Sequence, residues 1–247
     1  MQISLYYDIL RAYMSVSFKN QRLLIVSPHP DDEILGCGGL IKRIKDQGGK
    51  VYVLFLTVGD TQEYSKRGIS NGHERISEIE KVAKFLKYDD YQILFEGNTF
   101  HLRLDSIPQI ELISKIEESL NRIKPTIIAF PQFQDYNQDH RTTAQAVITA
   151  TRPAPPEFKS FQPLVLAYES VSVASWAQGQ IDNPNFFVKL SEDELSFKLK
   201  ALGMYKSQVR KGAHPRSLKS LGNLARYRGV QCGVEAAEAY ICYRNLI

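Results

Sequence analysis

The chain has 247 residues and a formal net charge of +4, and 43% of its residues are hydrophobic. This length allows a substantial buried core without disulfide support, and so mild a charge does not favour a nucleic-acid-binding protein. The apolar runs are far shorter than the ~20 residues of a membrane helix, and the N-terminus lacks the long apolar centre of a secretory signal. Three cysteines without a CxxC pair are typical of a reduced protein, so we expect a cytoplasmic location.

Four apolar runs in the first 131 residues have the composition of buried strands: RLLIVS (22–27), KVYVLFLTV (50–58), YQILFE (91–96) and TIIAFP (126–131). Between them, apolar residues recur every three or four positions in 73–87 and in 107–123, which predicts two helices. Ser106 and Gln109 have the spacing of a capping box at the start of the second helix. Alternating strands and helices predict an α/β fold: a doubly wound, mostly parallel Rossmann-like sheet with helices on both faces.

The last third of the chain, from about residue 152, has a less regular pattern. A proline-rich connection, TRPAPPEF, is followed by two further predicted strands in PLVLAYES and FFVKL. A helix over 192–206 is predicted to begin after Ser191. Because the sequence has no repeat, low-complexity segment or clear linker, we expect a single domain over residues 1–247.

Charged residues collect in two of the predicted loops. SPHPDDE (27–33) ends the first predicted strand, and QFQDYNQDHR (132–141) follows the fourth. In a doubly wound sheet, ligands bind where the strand order reverses, and these two loops open into that crevice. We therefore expect the topology to bring together side chains that lie about a hundred residues apart: His29, Asp31, Asp32 and His140.

Two imidazoles and a carboxylate that converge on one point are typical of a catalytic zinc site with an open coordination position. Zinc lowers the pKa of water to about 7, and an adjacent carboxylate that is not a ligand can act as a general base. The same ligands also suit iron or cobalt. A dinucleotide site is disfavoured, because Gly36, Gly38 and Gly39 do not form GxGxxG and follow the charged cluster. These glycines indicate close packing of a helix on the sheet.

The two loops resemble the motifs of the PIG-L/LmbE-like zinc-dependent N-deacetylases. From its histidine onward, PHPDDE matches the family's first motif, [A/S]-H-P-D-D-E, and NQDH stands where the family has H-P-D-H. HERISEIEKVAKFL resembles the family's R-x-x-E helix, and the tail YKSQ…RG…AEAY shows weaker similarity. The resemblance therefore covers roughly residues 22–240 and implies an LmbE-like fold.

The resemblance implies a role for each matching residue of the two motifs. His29, Asp32 and His140 would be the ligands of one Zn²⁺ ion per chain. Asp31 would be the general base that deprotonates water. Asp139 would orient a neighbouring ligand through a hydrogen bond.

The same resemblance implies that Arg75 contacts the substrate. Asn137 departs from the family, which commonly has a histidine at this position. Asparagine can donate a hydrogen bond to an oxyanion, but it cannot act as a general acid. The leaving amine would then receive its proton from Asp31 or from another residue such as His214.

Several of these residues also fit ordinary structural roles. Residues 31 and 32 suit the first turn of a helix, and 139–141 suit a helix cap. Arg75 and Glu78 have the spacing of a surface pair, and His214 is typical of a surface loop. From residue 198 to residue 228 there are nine Lys or Arg and no Asp or Glu. This stretch is either a solvated helical face or a basic wall beside an anionic substrate.

From the motifs we expect a metal-dependent hydrolase that removes the acetyl group from a small N-acetylated amino sugar in glycoconjugate or polysaccharide biosynthesis. The basic stretch extends this expectation to a nucleotide- or phosphate-linked sugar. One alternative is a zinc amidase that acts on a sugar–thiol conjugate or an acylated natural product. The other is a sugar-binding protein that keeps a metal but does not catalyse a reaction. The sequence does not indicate an oligomeric state.

Overall fold

The computed structural model describes residues 18–62, 69–171, 174, 176–177 and 182–246. Within these residues, strands β1 to β9 are Arg22–Ser27, Lys50–Val58, Thr61–Gln62, Ile69–Ser70, Asp90–Glu96, Ile127–Pro131, Leu164–Tyr168, Phe186–Lys189 and Ala237–Asn245. Helices α1 to α6 are Asp32–Asp46, Gly72–Leu86, Gln109–Ile123, Gln138–Ala150, Glu192–Leu202 and Leu218–Gln231. No helix in this described part has the length and apolarity needed to cross a membrane.

Seven of the described strands form one mixed sheet in the order β5-β2-β1-β6-β7-β9-β8. Strands β5, β2, β1, β6 and β7 are parallel, and β9 runs antiparallel to both β7 and β8. The chain thus winds outward from β1 through β2 to β5, and then returns to the other side of β1 with β6. The predicted doubly wound, mostly parallel α/β fold is confirmed.

Strand β1 is buried on both faces, because helices cover both sides of the sheet. Leu23 and Ile25 belong to one hydrophobic cluster, which α1, α2, α5 and α6 complete. Leu24 and Val26 point to the opposite face and belong to a second cluster, with α3 and α4. This alternation is the period of a strand whose successive side chains face opposite sides.

The helix predicted over 107–123 begins later than expected, and its predicted capping box is wrong. Leu104–Ser106 form a 3-10 turn, and the Ser106 hydroxyl donates to the Arg103 carbonyl at 2.7 Å. Ile107 is extended because a residue before proline is driven out of the helical region, so α3 begins after Pro108. The cap expected at Ser191 is present, and it forms a capping box with Glu194.

Helix α1 packs closely against the rest of the fold through its glycines, as predicted. A Cβ atom on Gly36 would lie 2.3 Å from Cγ of Tyr168. A Cβ atom on Gly39 would lie 2.3 Å from Cδ2 of Leu190. Real side chains do not approach this closely, so glycine allows the helix to reach its position.

A buried ion pair also holds α1. Lys198 of α5 donates to Glu238 of β9 at 2.7 Å, and to the Leu35 carbonyl of α1 at 2.9 Å. The Glu238 carboxylate accepts from the backbone N–H groups of Gly39 and Leu40, at 2.7 and 2.9 Å. The pair therefore joins three elements and fixes the helix whose first turn carries part of the predicted site.

Candidate active site

The loops after β1 and β6 meet, and they bring His29, Asp32 and His140 together. Oδ2 of Asp32 lies 3.4 Å from Nδ1 of His29 and 3.2 Å from Nε2 of His140. All three side chains are buried, and one ligand atom from each lies within 4.8 Å of the others. Asp32 and His140 are each in the first turn of a helix, α1 and α4, so both helices fix the geometry.

Two buried carboxylates hold the outer nitrogens of the two imidazoles. Nε2 of His29 lies 2.9 Å from Oδ2 of Asp139, and Nδ1 of His140 lies 2.7 Å from Oδ2 of Asp135. Such carboxylate partners fix the ring orientation and place the proton on the outer nitrogen, which leaves the inner nitrogen as a ligand. The set of two imidazole nitrogens and one carboxylate oxygen fits Zn²⁺.

Burial alone would raise the pKa of Asp32, but the charges and hydrogen bonds of the two histidines outweigh it. They hold the pKa of this carboxyl well below its usual range. Asp32 is therefore ionised at neutral pH, as a metal ligand must be.

Asp31 lies beside this group at the end of the β1–α1 loop. Its φ of 107° is in the left-handed region, which is strained for a residue with a side chain. The Asp31 N–H donates to the Glu33 carboxylate at 3.0 Å, and this carboxylate accepts from the hydroxyls of Tyr205, at 2.5 Å, and Tyr88, at 3.3 Å. Burial raises the pKa of Glu33 to about 8. This buried cluster supports the strained backbone below Asp31.

The Asp31 carboxyl is poised to exchange a proton near neutral pH. Burial and the adjacent Asp32 charge raise its pKa to about 7, while Arg216 and Arg75 oppose the rise. Nη1 of Arg216 lies 4.0 Å from Oδ2 of Asp31. A group with a pKa near the working pH can both accept and return a proton.

Asn137 has a structural role in addition to its place in the pocket lining. It is the N-cap of α4, and its carboxamide oxygen accepts from the Asp139 N–H at 2.9 Å. The carboxamide NH₂ is therefore the end that can donate into the pocket. The cap of α4 is therefore Asn137 and not residues 139–141, and the side chains of Asp139 and His140 belong to the buried cluster.

Arg75 is buried and lines the pocket, so its interpretation as half of a surface pair is wrong. Its Nη1 donates to Oγ1 of Thr61 at 2.9 Å and lies 2.9 Å from Nε2 of His101. Burial lowers the pKa of His101 to about 3, so this imidazole is neutral and accepts from the guanidinium. Glu78 is buried too, where it accepts from the backbone and the hydroxyl of Ser207 at 2.9 and 2.6 Å.

A cavity of about 370 Å³ opens above the buried cluster. This volume falls in the range of about 300–1,000 Å³ that is usual for small-molecule sites. His214 lines the cavity, and its Nδ1 accepts from the Arg216 N–H at 3.0 Å. The residues on the cavity lining with more exposed side chains include Leu102, Tyr136, Trp176, His214 and Arg216.

The basic stretch from 198 to 228 does not form a continuous wall along the pocket. Arg216 lines the cavity, but Lys198 is buried beneath α1. Arg226 and Arg228 each pair with a glutamate. The predicted basic wall is therefore not formed. Among the described lining residues, this stretch contributes one arginine, Arg216.

Sequence reasoning missed several residues that complete the site. Asp135 could have been found, because it is a carboxylate five residues before His140 in the same loop. His101 and Arg216 come from segments far from both motifs, and no local pattern marks them. Tyr136 and Trp176 also line the cavity without any motif of their own.

The chain is similar to a known protein family and to individual known proteins. The family model PIG-L (GlcNAc-PI de-N-acetylase) matches residues 24–151. A probable N-acetyl-alpha-D-glucosaminyl L-malate deacetylase 2 from Bacillus cereus is 27% identical over 196 residues, 76% of this chain and 84% of that protein. The diacetylchitobiose deacetylase of Thermococcus kodakarensis is 28% identical over 227 residues, 88% of this chain and 81% of that protein.

A solved structure of 4-carboxy-2-hydroxymuconate hydratase from Pseudomonas putida has a TM-score of 0.70 at 18% identity, over 92% of this chain and 98% of that one. At this identity the similarity shows the shared fold alone. The family model, in contrast, matches both motif loops and more than half of the sequence. The chain therefore belongs to the PIG-L (GlcNAc-PI de-N-acetylase) family.

Proposed function

We propose that this protein is a metal-dependent hydrolase that removes the acetyl group from an N-acetylated amino sugar and releases the free amine and acetate. The observation that carries the proposal is the buried group of His29, Asp32 and His140 at the cavity, with Asp31 beside it. Two relatives that cover more than three quarters of the chain are named as deacetylases of N-acetylated sugars, which supports the substrate class.

His29, Asp32 and His140 would hold one Zn²⁺ ion per chain. The fit rests on the converging ligand atoms, the ionised Asp32, and the carboxylates of Asp139 and Asp135 on the outer imidazole nitrogens. When bound, the ion polarises the amide carbonyl and lowers the pKa of water.

Asp31 acts as the general base. It takes a proton from the attacking water, and its pKa of about 7 allows it to pass that proton to the leaving amine. One residue thus serves both proton transfers, and Asn137 is not required as an acid. Asn137 instead donates a hydrogen bond from its NH₂ to the oxyanion of the tetrahedral intermediate.

Arg75 and His214 bind the substrate in this proposal. The Arg75 guanidinium is held by Thr61 and His101, so it presents a fixed set of donors to sugar hydroxyls. His214 is exposed and lines the outer part of the cavity, where it contacts the part of the substrate beyond the acetamido group.

Two other functions use the same metal ligands: an amidase for a sugar–thiol conjugate or an acylated natural product, and a metal-retaining sugar-binding protein. The buried Asp31 favours turnover over binding alone, because a binding site has no need of a positioned base. The sugar-deacetylase proposal is favoured over the amidase by the names of the two relatives.

The test is to measure the metal content of the purified protein together with acetate release from a panel of N-acetylated sugars, with and without a chelator. One metal per chain and chelator-sensitive acetate release is the expected result. Bound metal without release from any sugar would overturn the deacetylase proposal in favour of the alternatives. Failure to bind metal after addition of zinc would overturn the proposed metal centre.

A further inference from the structure

Two exposed aromatic side chains, Tyr136 and Trp176, line the pocket. They are 54% and 76% exposed. The charged and imidazole side chains of the interior are at most 6% exposed: His29, Asp31, Asp32, Arg75, His101 and His140. The pocket therefore changes from a buried polar interior to an aromatic mouth.

The fold sets the two aromatic residues opposite each other. Asp135, in the loop before α4, forms an antiparallel bridge with Ala177 in the segment after β7. In an antiparallel pair, the residue after Asp135 lies opposite the residue before Ala177. This register puts Tyr136 opposite Trp176. Both belong to the cavity lining, so the register pair lies at the pocket.

Further contacts tie the same two segments together. Nε2 of Gln134 donates to Oδ2 of Asp182 at 2.5 Å, and the Ser170 hydroxyl donates to Oδ2 of Asp135 at 2.9 Å. These two bonds join the loop before α4 to described residues on either side of Ala177, at positions 170 and 182. Aromatic side chains offer a large contact area and lose little conformational entropy when a ligand binds.

Exposed aromatic faces beside a sugar site favour a particular class of ligand. A pyranose ring presents an apolar face of C–H groups, and the negative face of an aromatic ring attracts such groups. The interior supplies the polar partners for one N-acetylated sugar, so the next ring of a larger substrate lies at the mouth. We propose that Tyr136 and Trp176 form a subsite for a second pyranose ring, and that the substrate is an N-acetylated sugar linked to another sugar. This inference rests on the proposed deacetylase function.

A neutral second sugar is compatible with the contacts of the arginines that line the pocket. Arg75 and Arg216 are the arginines among the described lining residues. Arg75 is engaged by Thr61 and His101, and Arg216 lies beside Asp31 and donates to Gln208 at 3.3 Å. A neutral sugar at the mouth leaves these contacts in place.

Trp176 is the single tryptophan of the chain, so tryptophan fluorescence reports on this position alone. The zinc-loaded full chain with the substitution Asp31→Asn would be titrated with N,N'-diacetylchitobiose and, separately, with N-acetylglucosamine. In the proposed mechanism this substitution removes the general base, so we expect no turnover during the titration. We expect the disaccharide to shift the tryptophan emission to shorter wavelength and to bind about tenfold more tightly than the monosaccharide, a difference of about 1.4 kcal/mol.

Calorimetry on variants in the same background gives the second readout. We expect Tyr136→Ala and Trp176→Ala each to lower the ratio of disaccharide to monosaccharide affinity several-fold. Phe158→Ala is the matched control, because Phe158 is 79% exposed and is not among the pocket-lining residues. This control should keep the wild-type ratio.

The outcomes separate this inference from the proposed function. Equal affinity for the two sugars, or unchanged emission at saturating disaccharide, would overturn the subsite. If wild-type protein released acetate from both sugars with equal kcat/KM and without an emission shift, the subsite would be wrong while the deacetylase function stood. If the disaccharide shifted the emission but wild-type protein released no acetate, the function would be wrong while the subsite stood.

Discussion

The substitution Glu238→Gln would leave the ammonium group of Lys198 without its carboxylate partner in the interior. Nζ of Lys198 lies 2.7 Å from Oε1 of Glu238, and the two side chains are 3% and 2% exposed. Glutamine carries no charge and has one acceptor oxygen, whereas the N–H groups of Gly39 and Leu40 each donate to their own oxygen of Glu238. Loss of one partner from a buried ion pair costs about 3–5 kcal/mol, a large part of the 5–15 kcal/mol that is typical of a native protein.

Urea unfolding measures this loss as a shift of the midpoint at constant m-value. The double variant Lys198→Met, Glu238→Gln removes the unpaired charge as well, so it should be more stable than Glu238→Gln alone. The matched control is Glu192→Gln, which breaks an ion pair with Arg226 at a similar distance, 2.8 Å, on the surface. This control should leave the midpoint nearly unchanged, because exposed pairs contribute little.

The reasoning would be refuted if Glu238→Gln shifted the midpoint no more than Glu192→Gln. It would also be refuted if the double variant were no more stable than Glu238→Gln. Either result would mean that the buried Lys198–Glu238 pair does not stabilise the fold in the way proposed.

Three further substitutions test the site and its support. Asp31→Asn should keep zinc, measured by metal analysis, and lose most acetate release; wild-type turnover would contradict its role as the base. Asp135→Ala should weaken zinc binding about 10–100-fold in a chelator competition, because a ligand loses its carboxylate partner; unchanged affinity would argue against that support. Gly36→Ala should lower the free energy of unfolding by about 1–3 kcal/mol through collision with Tyr168. Gly222→Ala is its control, since an added Cβ there has ordinary contacts, and an equal loss in both would refute the packing argument.

The parallel half of the fold could be predicted because its signals are local. Each strand is a continuous apolar run, each helix has its own period, and a doubly wound order then places β6 beside β1. The predicted strands 22–27 and 50–58 agree with β1 and β2 to the residue. The meeting of the His29 and His140 loops follows from that order alone.

The remaining features depend on contacts between distant residues. Strand β9 pairs between β7 and β8, and neither its sequence nor that of α6 has a pattern that reveals this place. Lys198 resembles a surface charge because its partner, Glu238, lies forty residues away. His101 is positioned at the site by contacts with Thr57, Thr61 and Arg75 and by an edge contact with the His29 ring. The roles of such residues can be recognised only from the folded structure.

In the segment Asp135–Tyr136–Asn137, the first and third side chains support the site, whereas the second lines the pocket. The side chain of Asp135 supports His140, and that of Asn137 caps α4. The backbone between them is held by Arg141, which donates to the carbonyls of residues 135 and 136 at 2.7 and 2.6 Å. The Tyr136 side chain is therefore independent of the bonds that shape the segment. A substitution at residue 136 can therefore change which molecule is recognised, while the roles of the two adjacent residues stay intact.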